Sequence, residues 1–435
     1  MLPSTLQRSR DLDTNYILIF LSLVVVFSYT FDLIAKRTKV PSVIFLFGTG
    51  LGIQYALKYF GIEIPSVSQF LPVIGTVGLV LIVLEGALEL RFEKDKVALI
   101  RSSLGSAFFI LIITALILTF LFRYMTHLPF QICLVNSIPL AIISSAIAIP
   151  SVSDLAKKKR EFVIYDSSFS DILGIMFFYF AKQNETYGLT AYFNLSKDIV
   201  ITLIIAVVIS VIFLFLIKRI THHIKFFLIL ALLLLVYAIG KKFHLSSLIV
   251  VLFLGLFLNN AEIIPVKKFK QLFLYEKLRN DLNQFLLLTA ESAFIIRTFF
   301  FLIFGYIMDI HSLLNWSVLM NGTIAVIVIY GIRALYLKYV ARTGLLPEVY
   351  IAPRGLISIL LFFDIPDSMK LNSTADGLLL FVILATSIIM TFGLLRTKNE
   401  EVSHEVGVQG EPEGQASAIT DAKAIPPSSE GKPQP

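Results

Sequence analysis

Apolar runs close to the roughly 20 residues that a helix needs to cross a bilayer recur along almost the whole chain, separated by short polar and basic stretches. About thirteen can be read, beginning near positions 15, 40, 70, 97, 129, 161, 198, 225, 245, 282, 313, 350 and 376. This pattern predicts an all-α integral membrane protein of about 13 transmembrane helices over residues 15–396. Residues 1–14 form an N-terminal extracytoplasmic segment, and residues 397–435, rich in Glu, Pro, Gly, Ser and Gln without an apolar period, a disordered cytoplasmic tail. The first run is followed by KRTK and lacks a small-residue cleavage site, so it reads as span 1 and not as a removed signal peptide.

Two runs break the rules of a simple span. Span 5, PFQICLVNSIPLAIISSAIAIPSV, carries Pro139 and Pro150 on either side of Ser144 and Ser145, and span 12, VYIAPRGLISILLFF, has Pro353, Arg354 and Gly355 near its start. Proline deletes a backbone donor, and broken backbone at membrane depth survives only where it is buried in protein or lines a wet cavity. Two interrupted segments in corresponding places of two halves point to a transport site. Spans 5 and 12 stand seven apart, which suits two inverted repeats, spans 1–6 and 8–13, with span 7 between them. The broken spans, near 129–152 and 350–365, are expected to cross near mid-membrane. A weak echo between LIVLEGALEL in span 3 and FLIFGYIMDI in span 10, with Gly86 and Gly305 in like places, supports the pairing.

Span 6, EFVIYDSSFSDILGIMFFYF, places Asp166, Ser167, Ser168, Ser170 and Asp171 inside an apolar run without a basic residue among them. On a helix Asp171 shares a side with Ser167 and Ser168, so a polar strip faces the broken span before it. An intramembrane acid is costly and marks function by default; the competing role, above all for Asp166, is hydrogen-bonded glue between helices. An acid in this setting can hold a proton in one state and a desolvated cation in the next. Arg297, in FIIRTFFF, is a further intramembrane cation that either snorkels or pairs with Glu291.

Composition agrees with the membrane reading: 57% of the 435 residues are apolar and 15% charged, with a mean hydropathy of +0.83. Lys and Arg number 23 in the loops after odd spans and 9 on the other side. That asymmetry predicts the N-terminus outside and the C-terminus in the cytoplasm, in the cell (inner) membrane. The net charge of +7 lies in short loops facing anionic lipid, so no nucleic-acid partner is expected. The lone Cys133 has no ligand cluster around it, and no cofactor is expected.

In order and spacing, YDSSFSD in span 6, the broken span before it, FFFLIFGYIMD in span 10, IYGIRALYLKYV in span 11 and APRGLISILL in span 12 resemble the monovalent cation:proton antiporters. They are most similar to sodium/proton exchangers of the bacterial and archaeal NhaP type, over about residues 15–396. The resemblance implies a transporter and not an enzyme: a homodimer in the lipid bilayer, a moving core domain, alternating access, and exchange of Na+, or of Li+ or K+, for H+. Under it the ion- and proton-binding carboxylate falls on Asp171, the family's neighbouring asparagine on Ser170, which is expected to line the cation and proton site with it, and its glutamate on Asp166. The arginine of the proline-arginine-glycine element falls on Arg354, expected to pair with Asp166; a second family arginine falls on Arg333, and Arg297 could compete for the same partner. The family's threonine-aspartate-proline element at the break is missing, Ala146 and Ile147 standing where its polar pair should be. Ser144, Ser145 and nearby carbonyls are therefore the expected further ligands of the cation, which favours hard oxygen donors. With Asp171 the one titrating carrier, exchange should be electroneutral.

Three other classes compete with this reading. An intramembrane aspartyl protease lacks its Gly-x-Gly-Asp partner, and a receptor is disfavoured by the short outside loops. An ion channel or sensor built on a degenerate antiporter fold is the serious alternative.

Overall fold

The computed structural model describes residues 14–61, 71–92, 94–183, 189–220, 225–242, 247–264, 267–273, 277–341, 346–371 and 375–408. A chain in hydrocarbon must satisfy its backbone groups internally, and the described residues do so with helices, without a strand. The first four expected spans are α1 (Thr14–Thr38), α2 (Ser42–Tyr59), α3 (Leu71–Glu89) and α4 (Val97–Thr126). The fifth is split into α5 (Phe130–Ala141) and α6 (Ser145–Ser151), and the sixth is α7 (Lys157–Gln183). Spans seven to nine are α8 (Leu189–Arg219), α9 (Lys225–Lys242) and α10 (Ser247–Asn260). A short helix that the apolar pattern did not predict, α11 (Lys267–Phe273), lies in the basic loop before α12 (Leu278–Ile307) and α13 (Trp316–Tyr336). Span twelve is a non-helical stretch, residues 351–355, leading into α14 (Leu356–Phe363), and span thirteen is α15 (Ala375–Val408). Among the described residues, 8 segments are by length and composition apolar enough to cross a membrane by themselves; α6 and α14, of 7 and 8 residues, are half-helices.

The break in span 5 falls between its prolines. Both Pro139 and Pro150 lie inside helical turns, and the chain unwinds at residues 142–144, with Ile142 and Ser144 extended. Ala146 and Ile147, expected at the break, instead occupy the first turn of α6. The side chains at the unwound positions are therefore Ile142, Ile143 and Ser144. This break meets the one in span 12 directly: the Ser144 N–H donates to the Pro353 carbonyl at 2.8 Å.

Around the crossing, α12 packs along α2 and α3. Two glycines set the first contact: a Cβ on Gly50 would strike the Leu302 carbonyl, and one on Gly305 the Phe47 carbonyl. The helices therefore touch backbone to backbone. Gly86, its echo in span 3, has another role, facing the hydroxyl of Ser168 across α7.

The expected disordered tail begins as a helix. α15 continues to Val408, because residues 399–406 contain neither Gly nor Pro and extending an existing helix needs no new nucleus. Residues 409–435, and residues 1–13 at the other end, lie outside the described residues.

Candidate functional site

Half-helices at membrane depth leave unpaired backbone groups at the break, and the site is built from what satisfies them. At the end of α5, Arg354 donates from Nε to the Leu140 carbonyl at 2.9 Å and from Nη2 to the Ala141 carbonyl at 3.1 Å. Its Nη1 reaches the Ala352 carbonyl, and its own N–H is held by the Thr386 hydroxyl at 3.1 Å. A cation at the carbonyl end of a helix is favoured by the helix dipole, and Arg354 is fully buried there. The Ile143 N–H, inside the break, donates to Ser170 Oγ at 2.9 Å. Ser170 is thus a backbone brace, which a short hydroxyl performs in place of an amide.

At the start of α6 the Ser145 N–H donates to Asp171 Oδ2 at 3.0 Å. The positive end of one half-helix is aimed at the carboxylate while the negative end of the other holds Arg354. Asp171 is 4% exposed, and its Oδ1 has no hydrogen-bond partner. Asp171 lines a small cavity together with Ser145, Ser168 and Gly86, among others. Ser144 is fully buried with its hydroxyl unpartnered. It lies against Gly355, where a Cβ would come within 2.8 Å of Ser144 Oγ.

Two expected pairings are different in the structure. Asp166 does not pair with Arg354; its Oδ2 lies 2.9 Å from Nη1 of Arg333 on α13. The reason is height in the membrane: Asp166 sits about 7.5 Å along the helix from Asp171, whereas Arg354 is drawn to the carbonyls at the break. Arg333 is anchored in turn by its Nε–H on the Glu348 carbonyl at 2.8 Å. Arg297 pairs not with Glu291 but with Glu85 of α3, at 3.3 Å, and donates to the Ala146 carbonyl at 3.4 Å. Pro150, four residues on and without an N–H, leaves that carbonyl without its helical donor.

Residues not singled out from the sequence complete the site. Glu85, an acid within an apolar run, lines with Glu89, Arg297 and Ser145 a cavity of ≈ 40 Å³ that abuts the one at Asp171, Ser145 and Gly86 bordering both. Its signal was the rule for intramembrane acids, the same rule that marked Asp171. At the end of the bundle away from the Lys-rich loops, Tyr179, Tyr237, Lys241 and Asp364 border two larger cavities of ≈ 320 and ≈ 270 Å³. There Lys182 pairs with Asp364 at 2.8 Å. Helix α3 borders three of the four cavities, with Gly75, Thr76 and Leu79 on one and Ile82 and Gly86 on the two near Asp171. From Leu79 to Ile82 is about 4.5 Å of helix. Less than one turn of apolar side chains separates the two sides along this helix.

The fold is similar to that of the sodium proton antiporter MjNhaP1 from Methanocaldococcus jannaschii. The structure of that protein at pH 8 has a TM-score of 0.66 and 20% sequence identity, over 91% of this chain and 99% of that one. A second MjNhaP1 structure, from an electron-microscopy map, has a TM-score of 0.63 and 18% identity, over 93% of this chain and 100% of that one. A comparison with curated proteins finds no match. The family description "sodium/hydrogen exchanger, transmembrane" matches residues 21–397, the whole bundle that carries Asp171 and both breaks, and the chain therefore belongs to the sodium/hydrogen exchanger family.

Proposed function

We propose that the chain exchanges Na+, with Li+ or K+ as alternatives, for H+ by alternating access, and that Asp171 carries either the proton or the cation. The observation that carries this reading is the state of the Asp171 carboxylate. One oxygen is fixed by the N-terminal N–H of α6, the other has no hydrogen-bond partner, and the residue lines a small cavity. A single carboxylate that binds one proton or one monovalent cation makes the cycle electroneutral. Access from opposite sides in turn is supported by the cavities placed along α3 and separated by less than one helical turn. A homodimer in the cell membrane, with the N-terminus outside and the Lys-rich loops in the cytoplasm, belongs to the same reading.

The test is proteoliposomes with a trapped pH dye and a panel of Na+, Li+ and K+. Wild type should move protons against an imposed cation gradient, and Asp171→Asn should not. Robust cation-driven proton movement in that variant would overturn the role of Asp171; cation flux without proton coupling in wild type would favour a channel or sensor.

A further inference from the structure

Lys39 departs from the usual chemistry of a helix end. It is the first residue after α1, its N–H donating to the Ala35 carbonyl at 2.8 Å, and it takes a left-handed conformation with a φ of 60°. Glycine is usual at that position, because a side chain in that conformation is strained. A lysine there gives up backbone energy for what its side chain reaches. That side chain is 8% exposed, and its ammonium pairs with Asp154 in the turn after α6. Asp154 also accepts from Ser153 Oγ at 2.9 Å. The Lys39 carbonyl accepts in turn from Thr391 Oγ1 of α15 at 3.3 Å, which fixes the corner from behind.

The pair joins two parts of the bundle. Lys39 sits at the corner between α1 and α2, and α2 is fixed to α12 backbone to backbone through Gly50 and Gly305. Asp154 follows the half-helix α6, which packs on α7, the carrier of Asp171. Helix α6 is gripped at its other end too, where Arg297 of α12 donates to the Ala146 carbonyl at 3.4 Å. Both contacts hold one half-helix from the α1–α2–α12 side, and Lys39 does so at the end of the bundle that carries the Lys-rich loops. The opposite end, bordered by Tyr179 of α7, Tyr237 of α9 and Asp364, has cavities of ≈ 320 and ≈ 270 Å³, against ≈ 40 Å³ beside Arg297. The bundle is wide where α7 faces α9 and narrow where α6 is tied.

Resting on the alternating access proposed above, we propose that the Lys39–Asp154 pair is the tie that holds the Lys-rich end shut, and that it parts each time Asp171 is exposed to that side. Asp154 is 63% exposed, and an ion pair with one partner in water shifts an equilibrium by about fivefold at most. That size suits a tie that must open and close at every turnover. A pair buried on both sides, such as Asp166 with Arg333, would strand two charges whenever it parted.

The one cysteine of the chain, Cys133, is buried, so introduced cysteines can report on each end of the full-length protein. Ile149→Cys, on α6 between the break and the tie, should react with a hydrophilic thiol reagent up to about fivefold faster when Asp154→Asn or Lys39→Gln is added. Met176→Cys, on the largest cavity, should react more slowly in the same backgrounds. The two changes together should shift the reactivities no further than either alone, as for any pair acting as a unit. In proteoliposomes, Lys39→Cys and Asp154→Cys joined by a short reducible bis-methanethiosulfonate linker should lose exchange and regain it on reduction. The same linker between Lys96→Cys and Glu161→Cys, replacing an ion pair at 3.2 Å that joins the start of α4 to α7, should leave exchange intact. Full-rate exchange in the linked Lys39→Cys/Asp154→Cys protein, equal losses with both linkers, or thiol reactivities unmoved by both single variants would each overturn the tie. Reactivities that shift as expected in a protein that exchanges no ion would sustain the tie while the proposed function fails.

Discussion

Arg333 Nη1 lies 2.9 Å from Asp166 Oδ2, and both side chains are 1% exposed. This pair links α7, which carries Asp171, to α13 at a level displaced from the break. It leaves Arg354 free to hold the carbonyl end of α5. The two arginines thus do separate work, one neutralising a carboxylate and the other a half-helix.

Removing one partner of a buried ion pair strands the other, at a cost of about 3–5 kcal/mol. Asp166→Asn and Arg333→Met should each lower the thermal stability of the purified protein strongly, and the double variant should lose less than their sum. Arg354→Met should be additive with Asp166→Asn. Coupling of Asp166 to Arg354 and not to Arg333 in such a melting series would contradict the observed pairing.

An electroneutral cycle is insensitive to voltage, whereas an unbalanced elementary charge feels about 2.3 kcal/mol per 100 mV. Initial exchange rates in sealed vesicles should therefore be unchanged by a potassium/valinomycin potential, with Na+ or Li+ as the exchanged cation. Rates that rise with one sign of potential and fall with the other would point to a second proton carrier.

Glu348 lies outside the spans, in the turn between α13 and the second break, 5% exposed and with its Oε2 unpartnered. Burial pushes its carboxyl above the ordinary glutamate range, against the opposing pull of Lys159 and Arg333. A raised carboxyl contributes stability that is present below its unfolded value and lost as pH climbs through its folded one. Glu348→Gln should remove that loss, matching wild type in acid and melting higher above the carboxylate range. Identical melting curves across pH would show that Glu348 is not the group responsible.

The last buried core residue of α15 is Leu394, so a chain ending at Lys398 loses no described core packing. It should insert, melt within a few degrees of the full chain and exchange at a similar rate. Failure to fold would assign residues 399–435 a structural part.

The spans were legible because hydrocarbon thickness fixes their length, and the breaks because two prolines mark span 5 and a Pro-Arg-Gly element marks span 12. Asp171 was legible as an acid without a basic neighbour in its own span. What the sequence hid depends on height and facing between helices distant in the chain. Nothing in the spacing of Arg333 and Arg354 tells which stands level with Asp166. The proposed partner of Arg297 could have been doubted on local grounds, since Glu291 is six residues away on the same helix and faces another side. The location of the break within SIPLAIISSAIAIP was also hidden, because both prolines are tolerated inside helical turns there.

The contact of α2 with α12 through Gly50 and Gly305 has a practical use. Helices joined backbone to backbone without intervening side chains have no rotamers to absorb a displacement, so they should hold one separation throughout the cycle. Spectroscopic labels at the exposed ends of this pair would then serve as a fiducial mark, giving a ruler against which the excursion of α7 during exchange can be measured in a single molecule.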